Sequence, residues 1–257
     1  MSRDESGLFE LNELGWWAKW GGVEWVGKDC YVLFSRDFRE PFFNRAGFLA
    51  PGTELELLVD ALETKFRERS TAPSILVREA REWRRLRILL DHRGYNVHDS
   101  MSVMRAGRAV PGHDPEVEIE MGIGSTGDWS RTYLESFYGR TLLLPIVEEI
   151  VEKAGEDKSV GFFLARVGGK SVGCASVYRT EGILGAYCIG TVPAFRHKHV
   201  ATTVLRAIRK LARKEKRTLI LQTMLSDSAE PFYVKNGFDR VYLKNVFGKK
   251  RGPPRRG

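Results

Sequence analysis

The stretch TVPAFRHKHVATTVLRAI, Thr191 to Ile208, constrains the fold of this chain more than any other. A β-rich run, ILGAYCIGTV (183–192), stops at Pro193, which cannot donate to a sheet ladder. Beyond it, Val200, Val204, Leu205, Ile208, Leu211 and Ala212 recur at helical spacing and predict a helix over 200–216. Arg206, Arg209, Lys210, Arg213 and Lys214 fall outside that face and gather toward the C-terminal half, where cations complement the helix dipole. A strand feeding a helix in this way presents unpaired helix N–H groups at the turn, an arrangement suited to phosphate. Glycine often serves such turns, because it tolerates positive φ and close backbone approach. Here His197 and His199 stand in those places. The turn is therefore a modified site or the remains of one, and its retained cations favour a modified, working site.

The surrounding elements predict a mixed α/β (α+β) domain. VEIEMGI (117–123) alternates as a strand, and 128–139 and 142–155 read as helices. The run 160–180 is two strands joined by Gly168-Gly169, a hairpin signal. A strand at 218–224, a short helix at 229–237 stopped by Gly237, and a strand at 238–247 complete it. The first half echoes this ending: helix 54–70, strand 73–79, helix 81–95, strand 96–106. Gly94 and Gly237 stand 143 residues apart, Pro51 and Pro193 142 apart. That is a repeat of a whole domain. A Gly/Pro-containing connection at 106–116 separates two similar domains, 1–110 and 114–247, each a mixed, mostly antiparallel sheet flanked by helices, followed by a basic, disordered tail at 248–257.

The net charge of +8 falls to +3 without the tail GKKRGPPRRG. The tail is thus the candidate for weak nucleic-acid contact, and the body shows no zinc-finger pattern. Cys30, Cys174 and Cys188 are scattered, which suggests neither disulfides nor a metal site. There is no run of 18 apolar residues and no signal-peptide core, so the expectation is a cytoplasmic protein without membrane contact. GWWAKWGGVEW (15–25) holds four tryptophans, read first as packing and second as an acceptor wall.

Val192, Pro193, Arg196 and Ala201 fit a close variant of the pattern V-x-P-x-x-[RQ]-x-x-G-x-[GA], with Val192 directly before the proline and His199 at the first glycine position. Phe232, Tyr233, Gly237 and Phe238 fit the later pattern of an aromatic Tyr followed by Gly-Phe, here with three residues between Tyr233 and Gly237. With these two motifs in this order, residues 117–247 resemble the GNAT superfamily of acyl-CoA N-acyltransferases. The resemblance implies acetyl-CoA as acyl donor and a primary amine, on a small molecule or peptide, as acceptor. It implies that Cys188, Ile189, Gly190, Thr191 and Val192 line the pantetheine arm. Arg196, His197, Lys198, His199, Val200, Ala201 and Thr202 would then take the pyrophosphate. Tyr233 becomes the acid that protonates the leaving thiolate.

No carboxylate lies in 182–191 to act as base. Glu135, Glu148, Glu149 and Glu181 are candidates acting through water, and Gln222 and Ser226 could hydrogen-bond cofactor or acceptor. Glu54 and Glu56 stand in the first half where Arg196 and Lys198 stand in the second, and carboxylates repel a pyrophosphate. The first domain is therefore read as a degenerate copy. The competing function is a catalytically silent, coenzyme-A-binding sensor or interaction module.

Overall fold

The computed structural model describes residues 5–52, 54–108, 116–122 and 124–249. Most of the expected 106–116 connection, and the expected tail from Lys250 on, lie outside them. The chain forms two compact units. Among the described residues, one takes those up to Val103, Thr223–Glu230 and those from Arg240 to Lys249; the other takes those within Met104–Gln222 and Pro231–Asp239.

In the first unit, α1 (Glu5–Trp17) precedes the antiparallel strands β1 (Gly22–Val26), β2 (Cys30–Phe34) and β3 (Arg45–Phe48). From β3 the chain passes through α2 (Leu55–Glu68) to β4 (Ser74–Arg78), which lies parallel to β3 with Ala46 opposite Ile75. A short 3₁₀ turn and α3 (Arg84–His92) lead to β5 (Asn96–Ala106). Leu55, Val59, Leu62 and Phe66 form the buried stripe of α2 and meet Ile75, Val77, Trp83 and Leu90 in the core.

Sequence periodicity gives no warning of α1. Its buried positions include Glu10, Asn12 and Glu13, so it has no continuous apolar stripe to detect. The tryptophans after it do pack: Trp16 and Trp20 are buried, and Trp17 meets Phe42 edge-on at 4.5 Å.

The second unit begins with β6 (Glu118–Met121), α4 (Thr126–Phe137) and α5 (Leu144–Gly155). It continues with β7 (Val160–Val167), β8 (Lys170–Thr180), β9 (Ile183–Thr191), α6 (Val200–Lys214), β10 (Thr218–Met224) and α7 (Glu230–Lys235). Its strand order is β10-β9-β8-β7-β6, antiparallel except for the β9–β10 pair. The β7–β8 turn uses Gly168 and Gly169 at φ 54° and 76°, as the two-residue hairpin requires. α4 starts two residues before the sequence expectation because the Ser125 hydroxyl accepts from the Asp128 amide as N-cap.

The last strand, β11 (Phe238–Gly248), belongs from Arg240 on to the first unit. There it lies between β4 and β5 in the order β1-β2-β3-β4-β11-β5 and runs antiparallel to β4, with Lys244 opposite Arg78. Both units are mixed α/β, mostly antiparallel and flanked by helices, as the sequence predicts. No described helix is long and apolar enough to cross a membrane.

Candidate active site

The site is built where β9 leaves its neighbour. β9 and β10 pair in parallel only from Ile183↔Thr218 to Ala186↔Leu221, although β9 runs on to Thr191 and β10 to Met224. The cause is visible on the other edge of β9. Its register with β8 slips between Cys174↔Gly190 and Ser176↔Tyr187, so β9 holds one residue more than β8 across that interval. This is a β-bulge, and Cys188 within it takes φ 52°. A bulge bends its strand and increases local twist, which parts β9 from β10 beyond the bulge. The backbone from Cys188 to Thr191 keeps β8 on one side and has no β10 partner on the other. An extended chain carrying amides could add there as a strand.

Beyond this edge comes the turn 193–199 and then α6. The N-cap of α6 is His199, which makes no side-chain capping bond. The first amides of a 15-residue helix therefore lack a side-chain cap, and its positive dipole end is set to receive an anion. His197 and His199 adopt φ 63° and 55°, the left-handed region, so the turn demands the conformation glycine supplies most easily. Histidine reaches it at a cost of about 1 kcal/mol each. Both rings are exposed, as is Lys198, whose Nζ lies 5.0 Å from the centre of the Phe195 ring.

Arg196 is engaged by the protein itself. Its Nη2 donates to the Ser136 carbonyl at 3.0 Å and its Nε to the Thr191 carbonyl at 3.4 Å. It thereby ties the end of α4 to the end of β9. Gly190 makes that junction possible: a Cβ there would lie 2.7 Å from the Ser136 Cβ and 2.9 Å from the Phe137 ring. Ile189, Thr191 and Val192 are half-buried on β9 and just after it, Val192 N–H donates to Val172, and Val200, Ala201 and Thr202 form the first turn of α6. Beneath the edge, burial pushes the Tyr133 and Cys174 hydroxyl and thiol far up, with the neighbouring Cys188 adding to both.

Tyr233 sits on α7, 8% exposed, with ring contacts to Phe232 and Phe238 at 5.3 and 6.1 Å. Of the candidate bases, Glu149 pairs with Lys153 at 2.6 Å, and that hydrogen bond holds its carboxyl below the usual range. Thr191 Oγ1, Gln222 Nε2 and Ser136 Oγ, the last against Gly190, are among the buried polar atoms with no hydrogen-bond partner among the described residues. The bulge and these orphaned atoms were invisible in the sequence, because a shift of pairing by one residue leaves no compositional mark.

A parted pair of parallel strands thus leads to a helix whose N-cap makes no side-chain bond. Residues 158–240 match the family model described as the acetyltransferase (GNAT) domain. Among solved structures, a GCN5-related N-acetyltransferase from Kribbella flavida is similar over 98% of both chains, at 14% identity and a TM-score of 0.72. One from Sphaerobacter thermophilus is similar over 91% of this chain and 84% of its own, at 15% identity and a TM-score of 0.66. A tandem GNAT protein from the clavulanic acid biosynthesis pathway matches 77% of this chain and 70% of its own, at 11% identity and a TM-score of 0.61. No curated protein matches the sequence. Residues 158–240 are thus similar to the GNAT acetyltransferase domain, and the chain has the fold these structures share.

Proposed function

We propose that this protein is a cytoplasmic N-acetyltransferase that moves an acetyl group from acetyl-CoA to a primary amine of a small molecule or peptide. The observation that carries the reading is the open edge of β9 between the bulge at Cys188 and the uncapped start of α6. The residues fit the cofactor: backbone groups of 188–192 would pair with the pantetheine amides, and the first amides of α6, with His197, Lys198 and His199, would hold the pyrophosphate. Acetyl-CoA supplies an activated thioester. The chain's own task is to align that carbonyl, polarise it and supply a proton to the departing sulfur, the role assigned to Tyr233. The amine loses its proton to water.

We also infer that residues 1–110 form a degenerate copy of the cofactor-binding domain read at 114–247. The order β3–α2–β4 repeats β9–α6–β10, parallel pair included. Glu54 is the N-cap of α2 and Glu56 lies in its first turn. Acids at a helix N-terminus suit the dipole and exclude an anionic ligand. Incubation with acetyl-CoA and a panel of primary amines, read by mass spectrometry, tests the activity. Acetylated amine from at least one class is expected; free thiol without any acetylated product refutes the transferase reading.

A further inference from the structure

We infer that Gln222 is a catalytic residue of this site, its side-chain amide donating to the thioester carbonyl oxygen; the inference rests on the acetyl-CoA reading above. Gln222 lies one residue beyond Leu221, the last β10 residue paired with β9. Its Nε2 is sealed from solvent and has no hydrogen-bond acceptor among the described residues. A buried donor without an acceptor destabilises a protein and is rare in native structures. Leu219, Ile220 and Leu221 before it are apolar and buried, and the strand turns polar at the half-buried Gln222, where its pairing with β9 has ended.

The place of the orphan gives its role. The unpaired run of β9 has two ends. Thr191, with its own orphaned hydroxyl, marks the end toward α6, and the Ala186–Leu221 pair marks the apex where the strands part. A ligand whose pyrophosphate sits at the start of α6 and whose arm follows β9 brings its thioester toward the apex. That is where Gln222 stands on the opposing strand. An N–H held in place before reaction is worth more to a developing oxyanion than to a neutral carbonyl.

The neutral amine nitrogen bonds to the carbonyl carbon, and the C=O π pair moves to oxygen, which Gln222 Nε2–H holds. Return of that pair breaks the C–S bond. The thiolate takes the Tyr233 proton, and the proton shed by nitrogen passes through water to restore Tyr233. The products are the acetylated amine and free thiol.

Two variants test this, Gln222→Met and Gln222→Glu, each assayed for turnover, for unliganded melting temperature, and by calorimetry with acetyl-CoA and with coenzyme A. Gln222→Met is expected to lower kcat about a hundredfold. It should raise the unliganded melting temperature by a few degrees, because the orphaned donor is gone. It should weaken acetyl-CoA while leaving coenzyme A, which has no acyl carbonyl, unchanged. Gln222→Glu, with the same shape and no donor, should lose turnover at least as severely. If the wild type binds and turns over while Gln222→Met stays within threefold, or if Gln222→Met melts lower and loses both ligands equally, the inference is overturned and the acetyltransferase reading stands. A wild type that binds neither ligand overturns both.

Discussion

Replacing Lys244 with methionine is expected to destabilise the protein by about 3–5 kcal/mol, the range for removing one partner of a buried ion pair. Lys244 on β11 is 2% exposed and reaches two carboxylates of α1, Glu10 at 3.1 Å and Glu13 closer still. Glu13 also accepts from Arg45 Nη2 at 2.6 Å, and Glu10 from the Tyr242 hydroxyl at 2.7 Å. All of these side chains but the half-buried Tyr242 are buried, so removing the ammonium leaves two carboxylates that water cannot reach.

The loss should depend on pH in a definite direction. Burial pushes the Glu13 carboxyl up, but Lys244 and Arg45 outweigh it and hold it below its usual value. A depressed carboxyl stabilises the fold above its unfolded value of 4.5, and that stability is lost as pH falls through the folded value. Burial raises Glu10 and Lys244 only partly offsets it, so its ionisation already opposes folding at neutral pH. Without Lys244 both carboxyls move up, and the variant gains by protonating them as the solution is acidified. Urea melts should therefore show a deficit that is largest near pH 7.5 and smaller near pH 5. A deficit equal at both would mean that Lys244 acts through its packed methylenes alone.

Tyr233→Phe is expected to lower kcat about a hundredfold, with the KM for acetyl-CoA within about twofold. General acid catalysis contributes typically about 10²- to 10⁴-fold, and a thiolate is a fair leaving group even without a proton, which favours the lower end. Phenylalanine keeps the ring contacts with Phe232 and Phe238, and an unchanged melting temperature would mark the loss as chemical. Steady-state kinetics on acetyl-CoA and the best amine measure it. A variant within threefold of wild type in kcat would remove Tyr233 from the chemistry.

The second unit was largely legible because its elements carry strong local signals. The Gly168-Gly169 hairpin, the apolar stripe of α6 and the stop at Gly237 each fix the backbone within a few residues. The stripe differs in detail, since Thr203 is buried and Leu211 only half-buried. The Thr203 hydroxyl satisfies itself on the His199 carbonyl at 3.0 Å, so a polar residue can turn inward. In the first unit, α1 and β1–β3 escaped because the core face of α1 is ionic and the strands are only four or five residues long. Ion pairs joining Glu10 and Glu13 to residues as distant as Lys244 leave no trace in any local window.

At the site, residue types could be read but their engagements could not. Arg196 was expected to face phosphate, yet it already bonds two carbonyls of the protein. The glycine-like turn was recognisable, whereas the left-handed φ of His197 and His199 is a property of the folded loop.

Acetyl-CoA is expected to bind along the edge of β9 and at the start of α6, which calorimetric titration measures. The wild type should bind acetyl-CoA at one site per chain. His199→Gly, which relieves a left-handed histidine, should stay within about tenfold of that affinity, a window of about 1.4 kcal/mol. A titration of the wild type that remains flat at millimolar acetyl-CoA would contradict the claim.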